Sequence, residues 1–90
     1  MLEAFRGELF TFLKGCLDRH EARMMLAQAQ LRLTRERFSD AHRDQFWKAL
    51  LQDLNSASEE FAASDVFAAA LADVTVYCIR CGRSLYPKTE

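Results

Sequence analysis

The sequence predicts an all-α protein, a small antiparallel helical bundle of about four helices. Three observations predict it. No proline occurs before Pro87 and glycine stands only at positions 7, 15 and 82, so helix breakers are nearly absent. Apolar residues recur at the spacing of a helical face through four successive segments. Ser, Asp and Asn punctuate those segments where helix caps belong. With 90 residues, half of them hydrophobic and 28% charged, the chain suits one domain with one core and is too apolar for a disordered tail. That domain is expected over residues 1–86, followed by a short tail at 87–90.

Leu2, Phe5, Leu9, Phe12, Leu13 and Cys16 share one face at ~100° per residue and define helix one, from Leu2 to Cys16. Asp18 followed by Glu21 has capping-box spacing, so a second helix is expected from Arg19 to Arg37. The rival is one continuous helix, because Leu17, Met24, Leu31 and Phe38 recur every seven residues. Helix two carries two apolar stripes. Met24, Ala27, Leu31 and Phe38 form one; Ala22, Met25, Leu26, Ala29 and Leu33 form the other, nearly opposite.

Ser39 and Asp40 are good caps for helix three, which runs to about Leu54. Its inward stripe is Phe46, Trp47, Leu50, Leu51 and Leu54, with Asp44, Lys48 and Gln52 outward. Ser56 with Glu59 repeats the capping-box spacing and places the start of helix four at Ala57. Phe67, Leu71, Val74, Cys78 and Cys81 form its inward stripe, and Phe61, Ala68, Ala72, Val76 and Ile79 its far side. Gly82 is placed to end it as a C′ glycine. The β-branched run from Val74 to Ile79 admits a short strand, but the helical stripe continues through it. Short links imply that consecutive helices are antiparallel neighbours.

The N-terminal apolar residues are interrupted by Glu3, Arg6 and Glu8, which excludes a signal-peptide core there. The most apolar window, Ala62 to Ile79, holds Asp65 and Asp73 and reads as a buried helix of a soluble protein, not a membrane span. Three cysteines, an odd number, argue against a disulfide framework and for the cytoplasm.

Cys78 and Cys81 form a CxxCG with Gly82, and the segment from Val76 to Tyr86 resembles half of a zinc ribbon. A structural zinc needs four ligands. Cys16 and His20, one helical turn apart, are the complement within the chain; a second copy's CxxC is the other. In an up-down bundle Cys16 and Cys78 lie at opposite ends, so the cysteines are expected in the core with no bound cofactor, and zinc is the alternative.

Arg37 and His42 are spaced Arg-x4-His, and Arg35 and His42 Arg-x6-His. Both spacings resemble the Arg-x4-6-His motif of the HEPN family of helical domains, which often act as metal-free ribonucleases. The resemblance implies an arginine that stabilises a phosphate and a histidine that transfers a proton.

Net charge is −1, so no large field advertises nucleic acid. Residues 19–48 hold seven Lys/Arg against four acids, whereas residues 49–79 hold five acids and no Lys/Arg. A helix-turn-helix reading through His42, Arg43, Gln45 and Lys48 is interrupted by Asp40 and Asp44, which repel phosphate. The apolar surplus points elsewhere. A chain of this size buries only about two-thirds of its surface, so two apolar sides on helix two exceed what one small core takes. The expectation is therefore a non-enzymatic cytoplasmic protein of adaptor, immunity or inhibitor type that binds another protein or itself as a homodimer. The expected contact surface is the second stripe of helix two with its arginines: Arg23, Met25, Leu26, Arg32 and Leu33. A zinc-stabilised regulator that binds nucleic acid is the alternative.

Overall fold

The computed structural model describes the backbone of residues 2–85 and the side chains of residues 2–79. The tail expected at 87–90 and the side chain of Cys81 lie outside the described residues. Four helices are present among the described residues: α1 (Leu2–Gly15), α2 (Arg19–Arg35), α3 (Asp40–Ser56) and α4 (Asp65–Leu85). The all-α bundle expected from the pattern is what forms, and no strand occurs among the described residues.

Helices one and two are separate. Asp18 takes an extended conformation and its carboxylate accepts the His20 N–H at 2.8 Å, which satisfies one orphan donor of α2. Ser39 does the same for α3, its Oγ accepting the His42 N–H at 3.2 Å. Between them, α2 closes with the Phe38 N–H on the Leu33 carbonyl and the Arg37 N–H on that of Thr34, while Arg37 sits at φ 60°. This is a Schellman ending with arginine where glycine is usual. It ends α2 at Arg35, two residues before the expected end, and folds Phe38 back onto the core.

The start of helix four is a correction. Residues 57–63 form successive tight turns, with Glu60 N–H bonded to the Ala57 carbonyl and Ser64 N–H to that of Phe61. A continuous helix would set Phe61 and Phe67 about 120° apart. Breaking it lets the two rings stack at 5.0 Å and tucks Ala57 into the core. The working cap is Ser64, whose Oγ accepts the Phe67 N–H at 3.1 Å, and not Ser56. Ser64→Ala is therefore expected to cost about 1 kcal/mol in urea unfolding, and Ser56→Ala less than about 0.5 kcal/mol. Equal losses would put the helix start back at Ala57. At the other end α4 runs through Gly82 to Leu85, so Gly82 does not terminate it.

The helices form two antiparallel hairpins, α1–α2 and α3–α4, laid side by side. Leu2 and Arg6 neighbour His42 and Ala49, whereas Phe10 and Lys14 neighbour Asp53 and Ala57, so α1 runs parallel to α3. α2 packs on α4, and Arg23 Nε donates to Asp73 Oδ2 at 3.4 Å across that seam. Packing is most extensive between α3 and α4 and slight between α1 and α2. Consecutive helices are thus not always neighbours, because α2 and α3 lie on the diagonal. Trp47 bridges that diagonal. It is fully buried, stacks on Tyr77 at 4.4 Å, meets Phe46 edge-on at 5.1 Å, and donates Nε1–H to Gln30 Oε1 at 2.8 Å.

Asp44 is a second correction. Expected outward, it is 4% exposed. Lys48, one turn later, meets its Oδ2 at 2.9 Å, while Oδ1 is buried without a hydrogen-bond partner. The i, i+4 spacing of Asp44 and Lys48 suits an ion pair, and it forms in a setting where a carboxylate needs it.

Candidate functional site

The stripe of helix two assigned to a partner is core. Leu26 is 0% and Leu33 1% exposed, and Met25 is half-buried against the same cluster. Only Arg23 and Arg32 of that group stand in solvent. The surplus apolar face is the opposite one, where Met24 is 47% and Leu31 49% exposed beside an exposed Ala27. The sequence showed two stripes. Which one turned inward depended on where α4 and α1 packed.

The arginines are largely engaged. Arg23 pairs with Asp73 and Arg6 with Asp53 across helix seams, and Arg43 pairs with Asp40 within α3. The cations offered for a nucleic-acid reading, Arg43 and Lys48, each hold an acid one turn away. His42 is exposed and its Nδ1 lies 2.9 Å from Ser39 Oγ, at the cap of α3. That contact engages the ring nitrogen facing the helix start, and Arg37 occupies the exposed turn before it.

Cys16 is buried and its thiol donates to the Asp18 carbonyl at 3.2 Å, while His20 is exposed. Cys78 is buried in the same core. No cluster of three or more metal-binding side chains occurs among the described residues. No helix there is long and apolar enough to cross a membrane.

α1 and α2 are joined at residues 16–18, and a groove of about 600 Å³ lies between Phe5 and the last three turns of α2. Such a volume lies within the range of about 300–1,000 Å³ typical of ligand sites. Phe5, Met25, Ala29 and Leu31 line it, with Arg32 and Arg35 among its polar residues.

Phe5 is fixed from behind by stacking on Phe46 at 5.5 Å. On its other side the Arg32 guanidinium lies over the ring, 4.3 Å from the centroid. Arg32 Nε donates to Glu36 Oε2 at 2.9 Å. An aromatic plane and a carboxylate together orient one arginine. Leu31 joins this groove to the exposed stripe on α2, so groove and stripe form one surface.

Sequence reasoning named Arg32 and Met25 but missed Phe5 and Leu31 as parts of the surface. Leu31 was readable as a member of the other stripe. The Phe5–Arg32 contact spans two helices, and no spacing rule announces it. Other large apolar groups on the surface are Leu17 in the first link, 94% exposed, and Val76 and Ile79, one turn apart on α4 and about half exposed. No protein-family model, curated protein or solved structure matches the chain.

Proposed function

We propose that this is a non-enzymatic cytoplasmic protein that works by binding another protein through the outer face of α2 and the adjoining α1–α2 groove. The observation that supports it is the half-exposure of Leu31 where the stripe and the groove meet. Contiguous apolar surface in water is unfavourable unless something covers it, and such patches mark interaction sites. Met24 and Met25 flank this surface, and methionine adapts readily to a partner's shape. Of the face Arg23, Met25, Leu26, Arg32 and Leu33, Met25 and Arg32 keep this role, and Met24, Leu31 and Phe5 take the place of the others.

The test is a photoreactive residue placed at position 31 in cells. The expected result is one discrete crosslinked species, identified by mass spectrometry as a single protein. The same probe at Glu59, exposed in the α3–α4 link, should not give that species. Identical ladders from the two positions would refute the assignment. A species of twice the chain mass would make the partner a second copy, as in the homodimer the composition suggested.

A further inference from the structure

We propose that the α1–α2 groove receives an amphipathic helix of a partner protein whose apolar face is edged by carboxylates. The proposal rests on the protein-binding reading above and names the chemistry of the partner. Packing between α1 and α2 is slight, and the groove lies where Phe5 of α1 faces the last three turns of α2. An opening along three turns of α2, lined by Phe5, Met25, Ala29 and Leu31, fits the apolar face of another helix. The described chain has no sheet edge, so an extended peptide finds no backbone ladder to join.

The charge follows from two arginines. Arg32 spends its Nε on Glu36 and one face of its guanidinium on Phe5. The terminal Nη edge has no partner among the described residues. A guanidinium held in this way offers two parallel N–H donors, the geometry that a carboxylate matches. Arg35 lines the same groove, is exposed, and makes no ion pair among the described residues. Glu36, the one acid lining the groove among the described residues, is already bound to Arg32. A helix bearing Lys or Arg at its edges would meet two cations and one occupied carboxylate. A helix bearing Asp or Glu would meet two donors.

The experiment is selection of a displayed library of helical peptides of about four turns against the full chain. The enriched peptides are expected to repeat Leu, Phe or Met at i, i+3 or i+4 and i+7, flanked by Asp or Glu. The best of them should bind roughly ten-fold more weakly to Arg35→Glu, and Leu31→Asp should abolish its binding. Both substitutions are at exposed positions, and a circular dichroism melt confirms that each variant folds. A second selection on Arg35→Glu should move the flanking residues toward Lys and Arg.

Enriched peptides that are neutral or basic, or indifferent to Arg35→Glu, overturn the proposal. If those peptides still require Leu31, the protein-binding reading survives without the acidic partner. If no enriched peptide requires Leu31 and position 31 crosslinks nonspecifically, both fall.

Discussion

Leu26→Asp is expected to unfold the chain. Leu26 has no exposed surface and sits in one cluster with Leu13, Leu33, Trp47 and Val74. Truncating such a leucine to alanine costs about 3–5 kcal/mol, and aspartate adds the cost of a buried carboxylate with no partner. A domain of this length has roughly 5–13 kcal/mol of stability in total. The variant should show no sigmoidal thermal transition by far-UV circular dichroism and no near-UV signal from Trp47. A melt within a few degrees of the parent would mean that this stripe is not core. The contrast is Leu31→Asp on the opposite face, where the change should stay within about 0.5 kcal/mol. The pair separates a folding residue from a binding residue on one helix, five positions apart.

Trp47→Ala is expected to have the next largest effect. The indole joins three helices through the Tyr77 stack, the Phe46 edge contact and the bond to Gln30. Its removal should cost about 3–5 kcal/mol, and at this size each kcal/mol lowers Tm by about 4–8 °C. A fall on the order of 15–30 °C in differential scanning calorimetry is the expected outcome. Trp47→Phe keeps a ring between Phe46 and Tyr77 but removes the donor to Gln30, a loss of about 1 kcal/mol. If Phe proves as damaging as Ala, the hydrogen bond across the diagonal matters more than the packing. If Ala is tolerated, the indole is not the centre of the core.

The elements were legible because their signals are local. The caps at Asp18 and Ser39 are single residues acting on N–H groups two or three positions later. The inward residues of α1 and the middle of α3 follow one dominant stripe. Helix four shows where locality fails: Ser56 and Ser64 both carry cap chemistry, and the Phe61–Phe67 stack decided between them. Asp44 shows the same limit from the other side. Its charge argued for solvent, and its place on the α3 face buried it, with the exposed Lys48 as its ion-pair partner.

The candidate surface was less legible than the fold. Two apolar stripes on one helix are visible in the sequence, but inside and outside are not properties of a helix by itself. They were set when α2 packed on α4 and only slightly on α1. The same arrangement put Phe5 under Arg32, a contact 27 positions apart in the chain. The sequence by itself determined that the protein is helical, where most helices begin, and that it carries more apolar face than one small core uses. Those follow from backbone hydrogen bonding and residue periodicity within a few turns. Only the tertiary structure decided which face is spare and which arginines remain unpaired, because burial and charge pairing arise between segments that the chain's local rules do not bring together.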